Sequence, residues 1–571
     1  MKITKYISQT LYEHGVKTIF GHLGGFNADF IDKIYAHPKQ QFILNYHEQA
    51  SAFAANSYAM MNNTIGVATS SGAPSFCNMV AGIANAYFDS NPCVFIAGSI
   101  NSKALRTTKK LRQNAFEEID MLSLVDDITK YAVHINDEND VRYYLEKAIY
   151  IANSGRKGPV LIDLPYDIAR KDIDPSKLKG YTPPETNYDE FDITKIVKSI
   201  KSAKRPLILL GGGAKSLSSK KSLKELLARV KIPAVSSLCG LDALPHDHEC
   251  FYGFIGHYGN RYANFAIANC DCLIVLGSRL DERQIAGDKK RFAGDAKIIR
   301  IDIDEFEFGR NLKENISLYT TAELFLNRLS KCDFEGYNCS SWIDIISKWK
   351  KRYPSYNLES QEQEVDINNF LYILSGFLTK DAIICSDVGQ SQMSVAQAMP
   401  IDNEKSLINC GGYGSMGFSL PASIGAQYAK PDTMVVSING DGGIQMNMQE
   451  LQTIARDKLP IKIFIFNNNC LGMIRRLQER IFDNRTSASV EGYSVPNYEA
   501  IANAYNIKYL KISSKNEYNL VKDFIDDNEA CIVEVIIPQE MQNNPEPGAS
   551  IDKQTPLLTD EENEEIKSEC L

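Results

Sequence analysis

The residues best suited to chemistry are Gly440-Asp441-Gly442-Gly443 and, after one more helix and strand, Asn467-Asn468. Asp441 and Asn468 offer hard oxygen ligands, suited to a Mg²⁺ that keeps phosphate oxygens in its shell. Gly440, Gly442 and Gly443 have no side chains, so backbone N–H groups there can approach a phosphate closely. The elements that must position these groups are a buried strand at 434–438, a helix at 448–456 and a strand at 461–466. Both halves of the motif then fall at the carboxyl edge of a parallel sheet, where α/β folds bind ligands. A second candidate is Glu48, between a strand at 42–45 and a helix expected at 51–60. A carboxylate there, shielded from water, would have a raised pKa and could share a proton with a bound ligand. The alternative is a helix-terminal carboxylate that interacts only with the helix dipole.

The wider chain supplies three α/β segments, each expected to be a doubly wound parallel-sheet domain. The first covers 1–170, with strands at 18–21, 42–45, 65–69, 93–97 and 160–163. The second covers 192–330, with strands at 206–210, 234–236, 272–276 and 298–301, and the third covers 366–538. A proline-bearing linker at 171–191 and a more polar joint at 331–365 separate them. Residues 539–571, with Pro545, Pro547 and an acidic run, are expected to be a weakly ordered or surface-wrapping tail. A net charge of −9 over 571 residues argues against a nucleic-acid partner. No apolar run is long enough to cross a bilayer, and the opening residues are expected to form an amphipathic helix rather than a signal peptide. Thirteen scattered cysteines without paired spacing suit reduced thiols in a cytoplasm, and the Cys270/Cys272 pair reads as core.

The two-part glycine–aspartate and asparagine motif resembles the diphosphate site of thiamine diphosphate (ThDP) enzymes. Further motifs resemble the acetolactate synthase branch of that superfamily, over nearly the full length to about residue 538. They are His47-Glu48-Gln49-Ala50, Ser386-Asp387-Val388-Gly389-Gln390, Gly414-Ser415-Met416-Gly417-Phe418 with Leu420-Pro421-Ala422, and Gly158-Pro159-Val160-Leu161-Ile162-Asp163. The resemblance implies pyrimidine-binding, central and diphosphate-binding domains, ThDP and Mg²⁺ as cofactors, and a 2-keto acid donor with a carbonyl acceptor. It also implies a homodimer or homotetramer whose active sites are shared between subunits, with a regulatory subunit possible. Glu48 would face the aminopyrimidine N1′. Met416 would be the wedge that bends the cofactor, although a core Met would look the same in isolation. Gly414 would offer its carbonyl to the 4′-amino group, and Gly389, Gln390 and Ser391 would border the diphosphate. Asp441, Asn468 and the Cys470 backbone carbonyl would hold the metal.

Departures from the family bear on the substrate. Gly21-His22-Leu23-Gly24-Gly25 resembles the loop over the thiazolium, with His22 and Leu23 where the family usually has Tyr and Pro. His22 is either a substrate-facing group or a turn histidine, and Gly25 could help hold a developing oxyanion. In Asn114-Ala115-Phe116-Glu117-Glu118, Phe116 would be an apolar wall and Glu117 replaces a Gln that faces the substrate; a solvated Glu117 remains open. Leu477 stands where a Trp helps to select the acceptor, which implies a differently shaped, larger pocket. In the central segment, Gly277-Ser278-Arg279-Leu280-Asp281-Glu282-Arg283 and Ile301-Asp302-Ile303-Asp304 resemble stretches around FAD, and Gly211-Gly212-Gly213 follows a strand. Gly212, Arg279, Asp281, Arg283 and Asp302 would then contact a structural FAD; an empty fold is the alternative. Transfer of an acyl unit to a keto sugar nucleotide, simple decarboxylation, and a non-catalytic paralogue are the rival functions.

Overall fold

The computed structural model describes residues 1–185 and 187–570. Three six-stranded parallel sheets organise the chain, each flanked by helices. In spatial order the first is Gln41–Leu44, Thr18–Gly21, Gly66–Ser71, Cys93–Ser99, Pro159–Pro165 and Tyr131–His134. The third is Ser406–Asn409, Ile383–Ser386, Val435–Gly440, Lys462–Asn467, Cys531–Ile536 and Lys508–Ile512. The two share one topology, so the chain reverses its winding between the first and third strands of each. That reversal opens a crevice at the carboxyl ends of those strands. In the third sheet the crevice lies between Asp387-Val388-Gly389 and the Gly440 loop; in the first it lies between the Gly21 loop and Ser71-Gly72.

The central sheet runs Ile316–Tyr319, Lys297–Asp302, Cys272–Leu276, Pro206–Leu210, Ala234–Ser236 and Phe251–Phe254. Its switch point brings Gly211-Gly212-Gly213 against Gly277, with Gly211 N–H donating to Leu276 O at 2.9 Å and Gly213 N–H to Gly277 O at 3.1 Å. The segment read as a polar joint contains the helix Ser340–Arg352. It buries Trp342, Ile346 and Trp349, whose spacing places them on one helix face.

Two helices join the first and third sheets. Glu48–Asn62 is rich in alanine and buried nearly all round, as a core helix must be. It lies against Ser419–Ala429, with Phe53 and Phe418 edge-to-face at 5.3 Å. This helix begins at Glu48, three residues earlier than the sequence pattern indicated, because His47 is extended and its ring accepts the Gln49 N–H. The expected helix after the Gly440 loop is also divided, into a 3₁₀ turn at Met448–Glu450 and an α-helix at Leu451–Asp457.

Beyond residue 538 the chain is structured rather than loose. A hairpin pairs Glu546–Ser550 with Lys553–Thr555, and the helix Asp560–Glu569 follows. Ile551 and Ile566 join the core around Trp342 and Trp349, and Glu569 accepts from Trp349 Nε1 at 2.6 Å. Of the acidic residues that suggested looseness, Asp560, Glu561 and Glu562 occupy the first turn of that helix, where its dipole favours negative charge.

Candidate active site

The diphosphate half is assembled by short side-chain contacts. Asp441, 2% exposed, accepts from Tyr493 Oη at 3.0 Å and from the Asn468 backbone N–H at 3.2 Å. Burial pushes its carboxyl up to about 6, against the lowering effect of those hydrogen bonds. Asn468 Nδ2 donates to Gln390 Oε1 at 3.1 Å, and the Cys470 N–H donates to Asn468 Oδ1 at 3.3 Å. The structure thus brings Asp441, Asn468, Cys470 and Gln390 together. The Cys470 thiol is buried, its pKa pushed up to about 11 by burial, which disfavours a thiolate. Among the described residues no three or more His, Cys, Asp or Glu side chains are grouped so as to hold a metal ion. A cation here would rest on one carboxylate, amide and backbone oxygens, and ligand phosphates, a donor set that suits Mg²⁺.

A diphosphate also fits the surroundings. Gly389 has φ of +118°, which a residue with a side chain rarely adopts, and open space where a Cβ would lie. Ser391 Oγ is buried without a hydrogen-bond partner among the described residues. Asp387 ties the loops together by accepting the N–H groups of Gly417 and Phe418, both at 3.0 Å. The missing Cβ of Gly443 would overlap its carboxylate. Gly443→Ala is therefore expected to destabilise the fold by about 1–3 kcal/mol through overpacking alone; chemical denaturation measures it. Gly414 and Met416 lie on the adjoining loop, where the Met416 Cε approaches Gly442.

The other half is carried by the first sheet. Glu48, the first residue of its helix, is nearly buried, and its Oε2 accepts from Asn78 Nδ2 at 2.9 Å. Asn78 belongs to the helix Gly72–Phe88. The Glu117 carboxylate reaches that helix's first residue, Gly72, and Glu117 itself has φ of +60°. Glu117 therefore turns toward the crevice rather than onto a solvated helix face. His22 Nδ1 lies 2.9 Å from the Asn45 carbonyl, an acceptor, so that nitrogen carries a proton and Nε2 is the ring nitrogen left free of this contact. Asn27 holds this loop by donating to His22 O and accepting from Gly24 N–H, at 3.0 and 2.9 Å. Gly25 has open space where a Cβ would lie. Phe116 is 82% exposed.

The central-domain residues are largely engaged within the chain. Arg279 Nη1 donates to Phe88 O at 2.9 Å, and Asp281 caps the turn Glu282–Ile285. Asp302 accepts from the Asp304 N–H, and burial pushes its carboxyl up to about 6. Gly212 and the Arg283 side chain are exposed. Sequence reasoning did not select Asn27, which ties its own loop, nor Asp387, Asn78, Tyr493 and Glu450, polar residues with partners 30 or more positions away.

Comparison with known proteins agrees with this architecture. Residues 1–124 match the thiamine pyrophosphate enzyme N-terminal TPP binding domain, 193–329 the central domain and 387–535 the C-terminal TPP binding domain. The acetolactate synthase large subunit of Lactococcus lactis subsp. lactis (strain IL1403) is 35% identical over 572 residues, covering 99% of this chain and 97% of that protein. That of Cyanidium caldarium is 34% identical over 529 residues, covering 89% of this chain and 88% of that protein. The chain belongs to the thiamine pyrophosphate enzyme family, in its acetolactate synthase-like branch. It is a ThDP-dependent carboligase of the acetolactate synthase-like kind. Among the described residues no helix is long and apolar enough to cross a membrane.

Proposed function

We propose that this enzyme takes a two-carbon unit from pyruvate, with loss of CO₂, and joins it to a carbonyl acceptor, using ThDP and Mg²⁺. The observation that carries the reading is the convergence of Asp441, Asn468 and Gln390 at the switch point, beside a Ser391 hydroxyl with no partner among the described residues. ThDP, when bound, supplies the carbon nucleophile that activates a 2-keto acid. Asp441 and Asn468, with the Cys470 carbonyl, would hold Mg²⁺; Gly389, Gln390, Ser391 and the Gly440 loop would receive the diphosphate. Met416 would support the bent cofactor. Glu48 would hold the proton at N1′, steadied by Asn78. His22 Nε2 and the Glu117 carboxylate would meet the donor or acceptor and its protons. The family match also supports sites completed by a second copy of the chain. The 82% exposure of Phe116 and the contact of Glu48 with its own domain's Asn78 are consistent with that reading.

The acceptor is the open term. Leu477 is 47% exposed, on the helix Gly472–Ile481 that follows the asparagine pair. It leaves room for an acceptor larger than a second pyruvate, a keto sugar nucleotide included. Leu477→Trp is expected to lower turnover with bulky acceptors by about tenfold or more relative to small ones. Product analysis over a series of acceptors measures this, and an unchanged preference would remove Leu477 from the acceptor pocket. CO₂ release that needs no acceptor would favour simple decarboxylation. FAD belongs to the proposal as a structural group only, since joining the two units transfers no net electrons. Visible flavin absorption of the purified protein tests it, and its absence would leave the central domain as packing.

A further inference from the structure

Glu450 is fully buried at the foot of the segment that begins with Asp441, yet its carboxylate serves the other half of the site. Oε1 accepts the backbone N–H groups of Tyr46 and His47 at 2.8 and 3.1 Å. Oε2 accepts from Asn45 Nδ2 at 2.9 Å and from Thr453 Oγ1 at 2.8 Å. Three of these four donors belong to the turn that delivers Glu48, and the same Asn45 carbonyl receives His22 Nδ1. Three residues earlier, Asn447 Nδ2 donates both to Gln49 Oε1 at 3.0 Å and to Gly417 O at 2.9 Å. Gln49 follows Glu48, and Gly417 follows Met416. Thus one short segment grips neighbours of both Glu48 and Met416, each of which would orient a cofactor.

A buried carboxylate costs stability unless hydrogen bonds replace its water. Here burial raises the Glu450 pKa, and the four donors act against that rise. Two adjacent backbone N–H groups aimed at one oxygen fix the peptide planes of the turn, which a single side-chain contact would not. The Tyr46 and His47 side chains do not enter the arrangement, so it constrains the backbone itself.

We propose that Glu450 is a positioning residue for Glu48: it holds the 45–47 turn so that the Glu48 carboxylate meets the aminopyrimidine at a fixed height and angle. The proposal rests on the ThDP reading for its chemical consequence but not for its structural one. Two measurements on the full-length protein separate the two.

The first is backbone hydrogen–deuterium exchange of the apo-protein over the peptide that contains Tyr46 and His47. Glu450→Ala is expected to speed exchange of those two amides about tenfold or more, with the Cys531–Ile536 strand unchanged. Glu450→Gln should restore protection, because its amide oxygen can accept both N–H groups. Its Nε2 takes the place of the oxygen that now receives Asn45 Nδ2, and a flip of the Asn45 amide would turn Oδ1, buried without a partner among the described residues, toward it. The second is the rate of C2–H exchange of ThDP bound with Mg²⁺, read by NMR, beside ThDP affinity by calorimetry. Glu450→Ala should slow C2–H exchange about tenfold or more with little change in affinity, and Glu450→Gln should recover it. Amide protection that is the same in wild type and both variants would overturn the proposal. So would normal C2–H exchange in a folded Glu450→Ala protein. A wild type that fails to exchange C2–H at all would sink the ThDP reading, while the amide measurement would still decide the role of Glu450.

Discussion

Glu48→Gln is expected to lower turnover by about 10²- to 10⁴-fold, the span of a lost acid–base group. The change is nearly isosteric, and the Gln oxygen still accepts from Asn78, whose contact with Glu48 is 2.9 Å. What it removes is the negative charge and the exchangeable proton at the end of a buried helix. ThDP affinity should change by less than about tenfold, since one hydrogen bond to the ring is altered while the diphosphate contacts remain. A loss confined to turnover is therefore the signature, and calorimetry beside steady-state kinetics reads it. Full turnover in Glu48→Gln would mean that another group handles the N1′ proton.

Asp441→Ala should have the converse effect, on binding before chemistry. It removes the one carboxylate of the Mg²⁺ set and strands Tyr493 Oη and the Asn468 N–H, which it now receives at 3.0 and 3.2 Å. Mg²⁺-dependent ThDP affinity is expected to fall by more than about 100-fold, since supporting residues alone typically cost 10- to 100-fold. The wild type at a hundredfold excess over Kd should gain about 2.7 kcal/mol of stability from the cofactor pair, a gain that the variant loses. Thermal melts with and without ThDP and Mg²⁺ test this. Equal cofactor shifts in both proteins would place the metal elsewhere.

The cofactor half was legible in the sequence because its parts are local. Asp441 and Asn468 immediately follow adjacent parallel strands, and strand–turn–helix spacing carries them into one crevice. The core strands were legible for a similar reason: Leu207 to Leu210 and Leu273 to Leu276 are unbroken apolar runs, as doubly covered strands must be. Tyr131–His134, Ile316–Tyr319 and Lys508–Ile512 are edge strands, partly exposed and mixed in polarity, so no run announces them. Glu450 escaped for another reason. Its contact with Asn45 joins residues 405 positions apart, and no local pattern marks which buried carboxylate will meet which backbone. The start of the Glu48 helix was placed late because His47 is not a usual cap, yet its ring accepts the Gln49 N–H at 3.2 Å. Asp387 lay within a recognised motif, but its role depends on two loops that only the fold brings over it.

The most direct test of the central claim is NMR of ¹³C-labelled pyruvate incubated with the purified protein, ThDP and Mg²⁺, with and without a carbonyl acceptor. The account predicts loss of labelled pyruvate as CO₂ is released, and a new carbon–carbon-bonded product that disappears when ThDP or Mg²⁺ is withheld. Acetolactate would identify pyruvate as its own acceptor, and a different adduct would identify another. Pyruvate that remains untouched with every acceptor offered, or that yields only acetaldehyde, would contradict it.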